Sequence, residues 1–439
     1  MSKDGRTESA TAGDTHEVGF RAFLFWLALA VLATLPAMWL KVSNSSLGPS
    51  VDAALFGAAI LAAGFMLSWG AESAEGQISS GLIVAALALV TVLPEYAVDI
   101  YYALRAGQDP SSNYIHYAAA NMTGANRLLI GLGWPLLVML AWWRTRARAI
   151  PLAVVNWTEV AFLLLPTLYA FVILLRNRIG IVDAVVLIGI YAIYVRRVTG
   201  HPKSADEDDD DGDEEEEEPG LAAAIERLPV GQQYALMAAL TIVAALVIYF
   251  SAERFAEAII ATGHAIGMNE FLSIQWVAPL ASEAPTVTVA VLFVLSLRPS
   301  SGLAMLISDK INQWTLLVGM LPLAMSVGAG SLTALPLDAR QHEEFFLTAA
   351  QSLFAIALLL RLRLGVAGAL ALFVLFTLQV TLAFAFRENE PATIATLTSV
   401  GWGYIVLTAA ISLFNLEQIR QMIRAGLLGR AESPIPPRA

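Results

Sequence analysis

Long apolar runs follow one another along almost the whole chain, and they constrain its fold more than any other feature. Each run holds about 20 residues, which is the length that a helix needs to cross a bilayer. Hydrophobic residues make up 57% of the 439 residues and charged residues only 14%, which excludes an ordinary soluble domain. We therefore predict an all-α polytopic membrane protein.

About twelve runs can be distinguished. Those before a central acidic tract lie near 20–41, 51–70, 78–104, 113–143, 151–175 and 180–196, and those after it lie near 231–263, 270–297, 301–330, 344–360, 364–386 and 394–414. Twelve spans place both termini on one side of the membrane. Most loop arginines fall on that side, which predicts that it is cytoplasmic, and Arg176 and Arg178 are the main exceptions.

The net charge of −11 arises mainly from one tract, because residues 206–218 are all Asp or Glu except Gly212. Like charges without apolar neighbours cannot form a packed core, so we predict a disordered linker between two halves. The predicted organisation is a disordered cytoplasmic N-terminus at 1–19, an extra membrane helix and loop at 20–50, a first repeat at 51–198, the acidic cytoplasmic linker at 199–228, a second repeat with additional helices at 229–415, and a cytoplasmic tail at 416–439.

Two glutamates, Glu95 and Glu283, each lie close to a proline in the middle of an apolar run. An ionised carboxyl in hydrocarbon is energetically costly, so a carboxyl in each half indicates that the pair acts on ions or protons. The prolines favour the same interpretation, because a broken helix frees backbone carbonyls that can coordinate a cation at membrane depth.

The two glutamates also mark an internal repeat, because the halves align around them without a gap. The aligned features are Glu95 with Glu283, Asn121 with Asp309, and the Leu-Leu-aliphatic-Gly runs at 128–131 and 316–319. Under the predicted topology, the two glutamate-bearing helices cross the membrane in opposite directions. Inverted repeats with helices broken at the midplane are typical of secondary transporters, whose site opens alternately to either face.

At these positions the chain resembles the cation/calcium antiporter superfamily, which includes sodium/calcium and proton/calcium exchangers. Its members are similar in carrying a Ser/Thr-Leu-Pro-Glu break and a Gly-Asn-x-x-Gly-Ser-Asn-like segment in each repeat. Here the first repeat reads Thr-Val-Leu-Pro-Glu at 91–95 and Ala-Asn-Met-Thr-Gly-Ala-Asn at 120–126. The resemblance covers most of the chain and implies a calcium site with oxygen ligands from Glu95, Asn121, Glu283, Asp309 and Thr91.

The chain departs from the family pattern where hydroxyl residues are expected. Val92 replaces a serine, Pro279 and Leu280 replace a Thr-Ser pair, Ser282 takes the proline position, and Tyr117 and Met305 stand at small hydroxyl positions. Ligands for sodium are therefore depleted. The counter-ion is therefore either a proton or sodium. A proton fits because a carboxylate pair that shares a site can hold a proton when the metal leaves.

Two further charged residues accompany the aligned positions. Asp99 lies one turn beyond Glu95, where it is either a proton relay or a carboxylate at the membrane edge that bonds a neighbouring tyrosine or arginine. Lys310 follows Asp309, and it either supplies a counter-charge that replaces one monovalent cation or extends to the membrane surface.

Together these features predict a secondary active antiporter in the cell membrane that exchanges calcium for sodium or protons by alternating access. Its expected partners are inorganic cations and the lipid bilayer, with no nucleic acid and no cofactor. The alternatives are a cation channel, or a proton-coupled exchanger for another divalent or monovalent cation. An intramembrane carboxylate enzyme is a distant alternative, because hydrolase and phosphate-binding motifs are missing from the sequence.

Overall fold

The computed structural model describes residues 8–75, 93–199, 225, 228–265 and 270–428, and helices account for most of them. The helices are α1 (Glu8–Val42), α2 (Pro49–Glu75), α3 (Leu93–Gln108), α4 (Tyr114–Leu128), α5 (Trp134–Thr145), α6 (Trp157–Arg176), α7 (Ile181–Thr199), α8 (Val230–Ala265), α9 (Glu270–Leu295), α10 (Pro299–Asn312), α11 (Val318–Ala329), α12 (Ala339–Leu359), α13 (Val366–Ala385), α14 (Glu390–Leu413) and α15 (Leu416–Gln421). The prediction of an all-α fold is confirmed.

Apolar helices dominate this architecture, and nine helical segments in the described ranges are long and apolar enough to cross a membrane. Large apolar side chains on them, such as those of Trp143, Leu175 and Tyr249, are exposed. Such a surface is stable against lipid and would promote aggregation in water. The protein is therefore an integral membrane protein, while the total of twelve spans and the inverted orientation of the repeats remain predictions.

Two segments of the predicted organisation can be compared with the structure only in part. The helix α1 begins at Glu8, inside the segment predicted to be disordered, because a stable apolar helix propagates readily into its flanking residues. The acidic tract at 206–218 lies outside the described residues.

The described residues form two compact units. The first unit takes its residues from Met1–Val98 and Thr199–Ile266, and within it α2 packs along α8 and α1. The ring of Phe255 on α8 lies so close to Gly57 on α2 that a Cβ there would meet it at 2.9 Å. Lys41 Nζ donates to Glu253 Oε2 at 2.9 Å, so a polar contact accompanies the apolar packing of α1 on α8.

The second unit comprises residues from Asp99–Val198 and Gly267–Ala439 and contains the larger apolar core, in which Trp134, Ile307 and Phe354 are buried. Helix α4 packs on α9 and α12, and α12 packs on α14. Two short antiparallel ladders join loops within this unit. Their strands are β1 (Ala149–Pro151) with β4 (Arg363–Gly365), and β2 (Arg178–Ile179) with β3 (Leu335–Pro336).

Two π-helical turns interrupt long helices at corresponding places. Leu129–Gly133 joins α4 to α5, and Gln313–Leu317 joins α10 to α11. Each follows the Asn121 or Asp309 position of its repeat. Such single π turns inside α-helices frequently occur at functional sites, because the added residue redirects the side chains that follow.

Helices α4 and α9 make an unusually close backbone contact at Gly124. A Cβ at this position would lie 1.9 Å from the carbonyl oxygen of Gln275, so only glycine fits. Pro279 lies four residues after Gln275 and has no N–H, which removes the usual helical donor for that carbonyl.

Candidate cation-binding site

Four carboxyl groups of the predicted site lie inside the protein. The exposed fractions are 3% for Glu95, 1% for Asp99, 1% for Glu283 and 9% for Asp309. Ionisable side chains inside membrane helices are costly and usually serve a function. The burial of these four therefore identifies them as candidates for ion binding.

The second repeat brings two of these carboxyl groups together. Glu283 on α9 and Asp309 on α10 offer ligand oxygens within 4.8 Å of each other. Gln313, in the π turn, donates from Nε2 to Glu283 Oε1 at 2.7 Å and to Asp309 Oδ2 at 3.1 Å. Two oxygens that bind one calcium ion at 2.3–2.6 Å can lie at most about 5.2 Å apart, so this pair can share a cation.

Helix α9 supplies more than its carboxyl group at this point. Pro279 and Pro285 lie inside the helix on either side of Glu283. Each proline lacks the N–H that would satisfy the carbonyl four residues earlier. Backbone oxygens near Glu283 are therefore less occupied than those of a regular helix, as a cation site inside a membrane requires.

The first repeat arranges its polar groups differently. Glu95 lies near the described start of α3, one turn before Asp99. Asn121 Nδ2 donates to Asp99 Oδ1 at 2.9 Å. Asp99 Oδ2 and Asn121 Oδ1 are buried and have no hydrogen-bond partner within the described ranges, which leaves one carboxylate oxygen and one amide oxygen to accept a cation, a proton or water. Thr91, the remaining predicted ligand, lies outside the described residues.

Lys310 is fully buried beside the carboxyl groups of the second repeat. Its Nζ donates to the backbone oxygen of Asn126 at 3.2 Å, contacts Asn126 Oδ1 as well, and lies 4.8 Å from the centre of the Trp314 ring. Glu283 and Asp309 are the acidic groups that act on it. The ammonium group is thus held in the interior and does not extend to the membrane surface.

An apolar cavity of about 160 Å³ reaches Glu283 from the side of α4 and α5. Leu128, Gly133 and Leu280 are among its lining residues. The cavity places empty volume directly next to one of the candidate ligands, although its walls offer few polar groups.

Sequence reasoning did not assign the residues that support these candidates. Gln313 bridges two carboxyl groups, and Asn126 binds Lys310, yet an amide in an apolar helix often only joins helices. One available signal was spacing, because Gln313 follows Asp309 by four residues and therefore shares its helix face. The buried ion pair of Arg127 with Glu344 was also not predicted.

Comparison with solved structures identifies similar folds. The chain is 38% identical to the protein in the crystal structure of the H+/Ca2+ exchanger CAX, with a TM-score of 0.83 over 93% of this chain and 98% of that one. It is 12% identical to native YfkE, with a TM-score of 0.58 over 82% of this chain and 98% of that one. The sodium-calcium exchanger NCX_Mj is 16% identical, with a TM-score of 0.50 over 76% and 98%. The last two likenesses show the fold alone.

No curated protein matched the chain. The family model described as sodium/calcium exchanger protein matches twice, over residues 51–200 and 236–385, which together make up more than half of the sequence. Each matched segment contains one of the two aligned glutamates, Glu95 or Glu283, and the aligned Asn121 or Asp309. The chain belongs to the sodium/calcium exchanger protein family.

Proposed function

We propose that this cation exchanger is a secondary active antiporter that moves calcium in one direction and protons in the other. The observation that carries the proposal is the buried Glu283–Asp309 pair, held by a single amide from Gln313. Two carboxyl groups at this separation gain from a shared divalent cation and repel each other without one. The binding of the cation and its replacement by protons are therefore linked.

The full ligand set joins groups from both repeats. Glu95, Asn121 and Thr91 of the first repeat would complete the site with Glu283 and Asp309. Calcium takes six to eight oxygen ligands, so backbone carbonyls and water would supply the remainder. Three carboxyl groups favour a divalent over a monovalent cation as the main substrate.

Two observations favour protons over sodium as the counter-ion. The protein that shares 38% identity with this chain over nearly its whole length is an H+/Ca2+ exchanger. The basic side chain of Lys310 also interacts with Glu283 and Asp309, at a place where a second monovalent cation would otherwise neutralise them. In this proposal Lys310 is the counter-charge, and Asp99 passes protons to and from Glu95.

Alternating access provides the transport step. In this proposal the protein lies in the cell membrane and its two repeats are inverted. Both termini would be cytoplasmic, as the arginine distribution predicts. Protons entering from outside neutralise the glutamates, displace calcium and drive its export without ATP.

Calcium uptake into proteoliposomes tests this function. We expect uptake under an imposed pH gradient, little uptake under an imposed sodium gradient, and loss of uptake in Glu283→Gln. The exposed residue Glu417, which pairs with Arg420, offers a matched control, and Glu417→Gln should transport like the wild type.

The other outcomes also separate the hypotheses. Uptake driven only by the sodium gradient would replace protons with sodium. Uptake without either gradient would identify a channel, and a Glu283→Gln variant that transports normally would contradict the assigned site.

A further inference from the structure

A second group of ionisable side chains is buried in the second unit, apart from the residues of the cation site. It comprises Arg127 on α4 and Arg340, Glu343 and Glu344 on α12, and we call it the α4–α12 charge cluster. The exposed fractions of Arg127, Glu343 and Glu344 are 1%, 2% and 1%. Charges in the interior of a membrane protein are rarely retained without a function.

Glu344 is the most fully bonded member of the charge cluster. Arg127 Nη2 donates to its Oε2, and Gln275 Nε2 donates to the same oxygen at 2.8 Å. Arg340 Nη2 lies 2.6 Å from its Oε1. Hydrogen bonds from α4 and α9 and an ion pair with Arg340 on α12 therefore fix this carboxylate, and the ion pair with Arg127 joins α4 to α12.

Arg127 connects the charge cluster to further polar groups. Its guanidinium lies 5.1 Å from the centre of the Trp276 ring on α9. Its backbone oxygen accepts from Gln351 Nε2 at 3.2 Å, and Gln351 Oε1 accepts from Gln379 Nε2 at 3.1 Å. A change at Arg127 would therefore alter side-chain contacts with α9 and α12 and, through Gln351, with α13.

Glu343 contrasts with its neighbour. Both of its carboxylate oxygens are buried, and neither has a hydrogen-bond partner in the ranges that the structure describes. The charged groups that act on it are Glu344 and Arg340 on its own helix and Arg127 on α4. A buried carboxyl group without hydrogen bonds is the kind of group that binds and releases a proton when its surroundings change.

Helices α6 and α14 also pack on α12, and aromatic side chains make these contacts. Phe171 of α6 and Trp402 of α14 both contact Phe346, and Tyr404 of α14 contacts Phe354. Tyr404 is the titratable group on that side, and it interacts with Arg127. The charged groups that act on Glu343 are therefore those of the charge cluster, while α6 and α14 contact α12 through aromatic rings.

We propose that Glu343 is a proton-binding site, separate from the cation site, and that its protonation determines how firmly the two arginines hold Glu344. An ionised Glu343 attracts Arg127 and Arg340 and competes with Glu344 for them. A proton from the aqueous phase that adds to a carboxylate oxygen of Glu343 ends this competition, and no other bond is broken. The side chain of Arg340 is 12% exposed, so the charge cluster is partly accessible to solvent.

Protonation of Glu343 would also affect α4, the helix that carries candidate ligands of the cation site. Helix α4 carries Asn121 and Asn126 as well as Arg127, so a stronger pair with Glu344 restrains the helix on which both asparagines lie. Proton binding at Glu343 would therefore regulate the exchanger without occupying its cation site. The proton-binding step itself does not depend on the proposed calcium transport.

Infrared difference spectroscopy of the full-length protein in detergent tests the proposal directly. Spectra recorded in alkaline and acidic buffer should show the carbonyl stretching band of a newly protonated carboxyl group. We expect one component of this band to be lost in Glu343→Gln and kept in Glu417→Gln, because the latter removes only an exposed carboxyl group. Identical spectra for the wild type and Glu343→Gln would overturn the proposal.

Two further measurements complete the test. The guanidinium bands of Arg127, assigned with Arg127→Lys, should shift with the same pH dependence, and this shift should be lost in Glu343→Gln. If Glu343→Gln does not fold, Glu343→Asp keeps the carboxyl group but moves it, so its band should change frequency, and an unmoved band would contradict the assignment. A protein that shows the band and lacks calcium transport would refute the proposed function and leave this inference intact.

Discussion

The two repeats place similar residues at corresponding positions and bond them differently. In the first repeat, Asn121 donates to Asp99, and one further oxygen of each side chain has no hydrogen-bond partner among the described residues. In the second repeat, Glu283 and Asp309 both accept from Gln313. The counterpart of Gln313 in the first repeat is Ala125, and the counterpart of Lys310 is Met122.

The aligned polar positions of the two repeats are therefore similar, whereas the groups that contact them differ. The second repeat holds its carboxyl groups through the amide of Gln313 and adds the basic side chain of Lys310, whereas the first repeat adds the carboxyl group of Asp99. Under the proposed function, the second repeat would contribute more to cation binding and the first repeat more to proton transfer. Replacing residues of one repeat by their counterparts in the other is therefore an informative experiment.

The largest effect is expected at the two aligned glutamates. Glu95→Gln and Glu283→Gln should each reduce calcium uptake by at least about 100-fold, beyond the range seen for residues that only support a ligand. Proteoliposome uptake at matched protein amounts measures both. Retained uptake in Glu95→Gln alone would mean that the first repeat does not contribute a ligand carboxylate.

Replacing Gln313 by its first-repeat counterpart should produce the next largest effect. Gln313→Ala removes the amide that orients both Glu283 and Asp309, so calcium affinity should fall roughly 10- to 100-fold, as is usual for groups that orient metal ligands. Calorimetric titration with calcium measures the change. The exposed residue Gln232 provides a control, and Gln232→Ala should bind calcium like the wild type.

The lysine of the second repeat should have a smaller effect of opposite sign on affinity. Lys310→Met copies the first repeat and removes a buried positive charge that acts on Glu283 and Asp309. Calcium should bind about tenfold more tightly, because one like charge near the cation is lost, and it should be released more slowly. A calcium affinity that falls instead would show that the contact of Lys310 with Asn126 outweighs its charge.

Asp99 should show the smallest effect. Asp99→Val copies the second-repeat counterpart Val287 and removes one hydrogen bond of Asn121, so uptake should fall by about 2- to 10-fold, as expected for 0.5–1.5 kcal/mol. Asp99→Asn keeps an acceptor for Asn121 but cannot take up and release a proton, so its uptake should fall by a similar factor. Wild-type uptake in Asp99→Asn would contradict the proposed passage of protons through Asp99.

Much of the architecture could be predicted because a helix that crosses the hydrocarbon core of a bilayer needs about 20 consecutive apolar residues. The predicted spans near 151–175, 231–263 and 364–386 agree closely with α6, α8 and α13. The strands β1 to β4 were not predicted, since segments of two or three residues carry no alternating pattern.

The polar residues of the candidate site could also be predicted from the sequence, but the contacts that they make could not. Glu95 and Glu283 stand out as carboxyl groups in apolar runs, and a single register links them to Asn121 and Asp309. The pairing of Lys310 with Asn126, or of Arg127 with Glu344, depends on how distant helices rotate and tilt against each other. Hydropathy does not determine tilt or rotation, so these partners emerge only from the structure.

The contact between Gly124 and the carbonyl of Gln275 limits how the molecule can move. The residues one turn away on the same face of α4, Ala120 and Leu128, carry a Cβ, so sliding α9 along α4 by one turn, about 5.4 Å, would bring that carbonyl against one of them. Translation of α9 past α4 by a full turn is therefore opposed, whereas a tilt of both helices together leaves the contact unchanged. An exchange mechanism that preserves this contact moves α4 and α9 together.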